Sequence, residues 1–284
     1  MTTKPIVAAT DGSEESLRAA EWAAREAALH GAPLRIVAAA ELLPRMSPAA
    51  GGTGLETVAD ILRENRDRAL NAAARCAAAA THGLVIDTDP LSGPVAQAVA
   101  DSGSGALMLV VGSRGSGAFA AMILGSVSRY AATHASCPVA IIRDEAMMPH
   151  RRVGVGIRDA ATSQDALAFA FEEASLRQAA LTALHAWRGP TGHGTPEVAA
   201  RQLTELLASW QAKYPSVQVS QEIVHGHPGH ALAGLSARSD LTVLGGHASG
   251  GSAPRGPATV THAVLSHAHG PVVTVPSSQR PEGV

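Results

Sequence analysis

Lysine is nearly missing from this 284-residue chain: Lys4 and Lys213 are the only two, and almost all positive charge is arginine. Charge as a whole is scarce, at 16% of residues, and close to balanced at a formal net -2. With no Lys/Arg cluster there is no basic patch for nucleic acid or for an acidic membrane surface. The arginines that do gather, Arg63, Arg66 and Arg68, alternate with Glu64 and Asp67 as on a solvated helix face. Cysteine is confined to Cys76, in an alanine-rich helical stretch, and Cys137, at the start of an apolar strand. That pair makes no metal or CxxC pattern, and a reducing cytoplasm is the expected compartment. No run reaches the ~18 apolar residues of a membrane helix, and the one before Asp11 is too short for a signal-peptide core. Neither a membrane span nor a targeting segment is expected.

Several catalytic signatures are missing as well. Neither lysine follows a glycine, so the GK[ST] of a P-loop NTPase is absent. A dinucleotide-binding G-x-G-x-x-G belongs after the first strand, where this chain has Asp11-Gly12-Ser13; Gly115-Ser116-Gly117 follows the fourth strand instead. No Gly-x-Ser-x-Gly elbow marks a serine hydrolase.

What is present is a repeated unit. The length suits two domains of about 140 residues, each able to bury its own core. The first half reads as a strand Pro5 to Thr10 and a helix Glu14 to His30, with Ser13 as its N-cap and Gly31 as its stop. A strand Leu34 to Ala40, a Pro/Gly-rich loop from Pro44 to Gly54 and a long helix Leu55 to Thr81 follow. Next come a strand Leu84 to Thr88, a helix Val95 to Asp101 and a strand Ala106 to Val111. A Gly-rich loop, a short helix and a strand Pro138 to Arg143 complete it. Strands alternating with helices, joined by connections too long for hairpins, indicate a parallel sheet covered on both faces. EWAAREAALHGAPLRIVAAAE, from Glu21, lays onto AFAFEEASLRQAALTALHAWR, from Ala168, at an offset of 147. GSVSRYAATHASCPVAII, from Gly125, lays onto ATVTHAVLSHAHGPVVTV, from Ala258, at an offset of 133. The chain therefore divides into a domain of residues 1–143, a linker 144–151 with Met147 and Met148 packing in it, and a second domain 152–284. Phe169 and Trp187 read as core of the second half.

Two segments of the first half end strands with chemistry attached. Thr10-Asp11-Gly12-Ser13 puts a carboxylate at the end of the first strand with a helix start behind it. After the fourth strand, Gly112, Gly115 and Gly125-Ser126 space as G-x2-G-x9-G-S. Glycines there allow positive φ and close backbone approach to a phosphate, and the amides of Gly125, Ser126 and Val127 open a helix whose dipole favours an anion. In an open parallel sheet, ligands bind beyond the carboxyl ends of the strands, where strand order reverses.

On these residues, together with the closing Cys137-Pro138-Val139, the chain resembles the ATP-binding branch of the universal stress protein family, over essentially its whole length and twice over. The resemblance implies two flavodoxin-like domains of the adenine nucleotide alpha hydrolase type. Each would be a five-stranded parallel α/β sheet of order 3-2-1-4-5, holding ATP, alone or with Mg2+, across the switch point. It further implies that Asp11 accepts a hydrogen bond from the adenine or ribose, flanked by Ala9 and Gly12, and that backbone at Ala39 reads the adenine edge. Val111, Gly112, Arg114, Gly115, Gly125, Ser126 and Val127 would wrap ribose and phosphates, Ser126 with its hydroxyl and Arg114 with its charge. Relatives of this kind pair, so a homodimer is implied, unless the two halves satisfy each other as an internal pseudo-dimer.

The second copy departs from this pattern. Asp11 falls on Arg158, Gly112 is kept as Gly245, Gly115 becomes Ala248, and Gly125-Ser126 becomes Ala258-Thr259. Thr259, Gly250, Gly251 and Gly256 leave it some hydroxyl and loop freedom. The histidines His225, His227 and His230 of HGHPGH, followed by His247, His262, His267 and His269, read as solvent-exposed loop and helix-end residues, because the proline and glycines prevent convergence on a metal. The expected function is an ATP-binding regulatory module of the stress response that senses nucleotide and is no efficient enzyme. The alternative is a slow ATPase or adenylate-transferring enzyme, and a third is an assembly protein with a structural nucleotide.

Overall fold

A computed structural model describes residues 3–40, 53–115, 124–143, 149–187, 195–246 and 257–277. The chain divides into two compact units, Met1–Ile142 and Arg143–Val284. The Pro/Gly-rich loop before Thr53, residues 144–148 with both linker methionines, Ser116 and Gly117, and His247, Ala248, Gly250, Gly251 and Gly256 lie outside the described residues.

The first unit runs β1 (Ile6–Ala9), α1 (Glu14–Leu29), β2 (Leu34–Ala40), α2 (Thr53–Ala80), β3 (Ile86–Ser92), α3 (Val95–Ser102), β4 (Met108–Gly112), α4 (Ser126–His134) and β5 (Val139–Ile142). Its strands are parallel in the order β3-β2-β1-β4-β5. β1, β4 and β5 are buried throughout, as continuous apolar runs in a doubly covered parallel sheet should be. α1 buries Ala19, Ala20, Ala23, Ala24 and Ala27 at helical spacing, a small-residue face that lets helix and sheet approach closely. Ser13 caps α1 by accepting the Ser16 amide, and Gly31, at φ +60, ends it. β3 begins and ends later than its apolar run suggests. It pairs within the unit with β2 alone, and its exposed and half-buried side chains include Asp87, Asp89 and even Pro90.

The second unit repeats the order with β6 (Arg152–Ile157), α5 (Gln164–Leu176), β7 (Ala180–Trp187), α6 (Pro196–Lys213), β8 (Val219–His225), α7 (Pro228–Ser236), β9 (Leu241–Gly245), α8 (Pro257–His267) and β10 (Val272–Val275). Its parallel order, β8-β7-β6-β9-β10, is again 3-2-1-4-5. The repeat holds at the level of single bonds. Val7 pairs with Arg35 and Leu109, and the offset partners of all three, Gly154 with Thr182 and Thr242, pair in the same way. The aromatic core is Phe171, fully buried and stacked against both Trp210 and Tyr214. Phe169 and Trp187, expected in the core, are only half-buried: Phe169 lies at the border of the buried helical stripe, and Trp187 ends its strand against His225. Among the described residues no helix is long and apolar enough to cross a membrane.

Candidate functional site

Strand order in the first unit reverses between β1 and β4, so the segments leaving these two strands are neighbours. Asp11 follows β1 as an exposed residue. Its Oδ1 accepts from the Ser13 amide at 3.0 Å and from the Ser13 hydroxyl at 2.6 Å, which fixes the turn at Gly12, where φ is +82. Below it, the Thr10 and Ser16 hydroxyls bond at 3.0 Å, the Gly12 amide donates to Thr10, and Ser16 donates to the Ser13 carbonyl. The expected capping role of Ser13 thus sits inside a larger hydroxyl network. Thr10 and Ser16 were not singled out from sequence, although Ser16 has a signal in the repeat. Its Oγ accepts from the Asp11 amide at 3.4 Å, and Ser163, at the offset position, accepts from Arg158 at 3.2 Å.

Across the switch point, Gly115 lies directly against Asp11: a Cβ built on Gly115 collides with Asp11 Oδ2. Gly125 comes next in space, its missing Cβ position 3.6 Å from the Arg114 Cα and 3.5 Å from the Ser113 carbonyl oxygen. Asp11, Arg114, Gly115 and Gly125 therefore form one contiguous rim. Ala9 and Val111 are buried strand residues beneath it, and Ala39 lies on β2 two residues past the Ala9–Val37 pair, at the same end of the sheet.

The glycines have different reasons from those the motif suggests. Of those in the first unit's site, only Gly12 takes positive φ. Gly112 is small because the start of α1 packs on it: a Cβ there would stand 3.0 Å from both the carbonyl carbon and oxygen of Glu15. Gly125 is the extended N-cap of α4, at φ -66 and ψ 155, and its amide already donates to the Ser113 carbonyl at 2.8 Å. It is not among the amides open to an anion. Among the described residues no side chain caps α4, and the N–H groups of its first turn, those of Ser126 and Val127 among them, lie at the rim. Ser126 itself is exposed. The serine that ties helix to strand is Ser128, whose buried hydroxyl donates to the Gly112 carbonyl at 2.6 Å. Arg114 faces Glu15, with Nη2 and Oε1 3.8 Å apart.

The corresponding rim of the second unit differs. Arg158 donates through Nε to Asp159 at 2.9 Å, and Asp159 also accepts from the Thr162 amide. Burial pushes the Asp159 carboxyl up, but those hydrogen bonds outweigh it and hold it below the ordinary carboxylate range. α8 starts at Pro257, so Ala258 is already helical where Gly125 is an extended cap. HGHPGH is less a loop than expected. His225 ends β8, His227 caps α7 by accepting the Gly229 amide on Nδ1 at 3.1 Å, and His230 is within the helix. The proline and the histidine cap start a helix where a loop was anticipated.

The universal stress protein family profile matches residues 2–143 and again 149–276. A universal stress protein of Mycolicibacterium smegmatis is 34% identical, over 95% of this chain and 96% of its own length. The crystal structure of a universal stress protein from Archaeoglobus fulgidus shares the fold with a TM-score of 0.73 at 18% identity, covering 97% of this chain and 99% of that one. A universal stress protein solved in complex with cAMP is 30% identical, over 50% of this chain and 99% of its own, with a TM-score of 0.38. With its motifs, its strand order and both halves matched, this chain belongs to the universal stress protein family and carries the family's domain twice.

Proposed function

We propose that the first unit binds an adenine nucleotide, ATP foremost, across the carboxyl ends of β1, β2 and β4, and that the chain works as a cytoplasmic sensor or regulatory module of the stress response. The observation that carries this reading is the apposition of Asp11 and Gly115 at the switch point. A carboxylate able to accept from ribose or adenine stands against a turn without a side chain, next to a helix start that no side chain among the described residues caps. These residues fit the two ends of a nucleotide: an acceptor for the sugar or base, and backbone donors with Arg114 for the phosphates. Mg2+ would arrive with the phosphates. Efficient phosphoryl transfer asks for a metal carboxylate, a water-positioning group and a cation near the leaving group, and this reading assigns only the last, to Arg114. Binding without rapid turnover is the expected behaviour.

The test is to denature the purified protein, identify released nucleotide by mass, and titrate nucleotide-free protein with ATP by calorimetry. Released adenine nucleotide, or saturable ATP binding with phosphate release far slower than exchange, supports the reading. No released nucleotide and no binding heat overturns it.

A further inference from the structure

We propose that Glu15 is an internal competitor for the phosphate end of this nucleotide site: its carboxylate holds Arg114 until phosphates displace it. The inference rests on the site reading above and adds a selectivity element to it. Glu15 occupies the second position of α1, and its backbone lies close against Gly112, which sets the helix start tight on β4. From that fixed base its Oε1 stands 3.8 Å from Arg114 Nη2, close enough for charge attraction and too long for a hydrogen bond. The Arg114 side chain remains 52% exposed. The guanidinium end of the pair is therefore solvated, while the Glu15 side chain, at 26% exposure, is partly covered. A contact this long and open on the arginine side is one in which an anion of higher charge exchanges for a carboxylate. Its neighbour behaves differently: Glu14 is engaged by Arg18 at 2.7 Å, one turn along the same helix.

The Arg114 Cα lies 3.6 Å from the position of a Cβ on Gly125, at the start of α4, so a guanidinium released from Glu15 is within side-chain reach of the amides expected to meet phosphate. A carboxylate at Glu15 then acts twice against an anion there, by occupying the guanidinium and by repelling the incoming charge. A terminal polyphosphate, with several oxygens and charges, displaces it more readily than a single phosphate does. The repeat shows the device to be local, since the position of Glu15 falls on Thr162 in the second unit.

The experiment measures dissociation constants of ATP, AMP and adenosine by calorimetry for the full chain and for Glu15→Gln, Arg114→Gln and the double variant. An exposed charge pair of this kind moves affinity by about two- to five-fold. Glu15→Gln is expected to raise the ratio of ATP to adenosine affinity by that factor, with AMP in between, and the gain is expected to vanish in the Arg114→Gln background. A ratio that stays put or falls on Glu15→Gln overturns the competitor role, as does an equal gain without Arg114. Wild-type protein that binds neither ATP nor adenosine overturns the site reading and this inference together, whereas wild-type binding with an unmoved ratio overturns this inference alone.

Discussion

The Asp11 carboxylate occupies the space that a side chain on Gly115 would need. Valine at 115 must push that carboxylate aside, and because the obstacle is the end of a flexible side chain the fold survives while the acceptor is displaced. Asp11→Ala removes the acceptor outright and should weaken ATP binding by about 1 to 3 kcal/mol, the cost of leaving a buried ligand donor unpaired. It also removes the bonds to Ser13, so a small loss of thermal stability should accompany it. Calorimetry paired with thermal denaturation separates the two effects. Unchanged ATP affinity in both variants would remove Asp11 and Gly115 from the site.

Packing in the second unit supplies a sharper stability test. A Cβ on Gly154 of β6 would sit 2.7 Å from a Leu235 methyl and 3.0 Å from the Ser239 hydroxyl. The matching positions of the first unit hold Val7 and Ser102, so bulk has moved from strand to helix between the copies. Gly154→Val should cost about 1 to 3 kcal/mol by overpacking, and Leu235→Ala about 2 to 5 kcal/mol by leaving a cavity. The double variant should lose clearly less than the two added together, because each change fills or relieves the other. Strict additivity in urea denaturation would show that the two side chains do not share this space.

The ends of α1 and α5 are built alike, with one difference. Ala32 donates to the Ala27 carbonyl and Gly31 to Ala28; at the same offset Ala179 donates to Ala174 and Gln178 to Ser175. Both turns need a left-handed residue, and where the first has Gly31 at φ +60 the second forces Gln178 to φ 50. A side chain in that region costs about 1 kcal/mol, and Gln178 is exposed. Gln178→Gly should therefore stabilise the protein by roughly 0.5 kcal/mol, after the greater chain entropy of glycine is counted. A lower melting temperature for this variant would contradict the account.

Burial pushes the Cys137 thiol up to about 11, against modest opposing hydrogen bonds, and its sulfur lies where a side chain on Gly103 would go. The thiolate is the reactive form, so at pH 8 Cys137 stays protonated as well as covered. In a thiol-labelling time course the native protein should react at Cys76 alone, with Cys137 appearing only on unfolding. Rapid labelling of both would mean that β5 opens readily.

Strong local signals made much of this fold legible. β2 is bounded as its apolar run suggests, and Ser13 and Gly31 act as the cap and stop that their chemistry predicts. The apolar run places β3 too early because an outer strand, with four of its seven residues exposed, carries a weak apolar signature. At the site, the structure brings the segments read from the sequence together, with other contacts than the motif suggests. A glycine reports that a Cβ is missing, but not that the space belongs to the Glu15 backbone at Gly112 or to the Asp11 carboxylate at Gly115. Likewise Ser126 and Ser128 are two residues apart on one helix, and which of them faces β4 depends on where α4 begins.

The two rims are unequal, and that inequality predicts binding stoichiometry. In the first unit a carboxylate ends β1 and an extended glycine opens α4; in the second a cation, Arg158, stands at the first place, and at the second Ala258 continues a helix begun at Pro257. The nearby Asp159 stands one residue later and its carboxylate is turned to the Arg158 side chain and the Thr162 amide. An adenine nucleotide placed there would lose the acceptor for its sugar or base, and its phosphates would meet a helix start of altered geometry. Several lost hydrogen bonds at about 1 kcal/mol each amount to a hundred-fold or more in affinity. ATP titration is accordingly expected to saturate at one equivalent per chain, and Asp11→Ala to weaken that one site. Saturation at two equivalents of similar affinity, or a single site that survives Asp11→Ala and disappears on changing Arg158, would assign the nucleotide to the second unit.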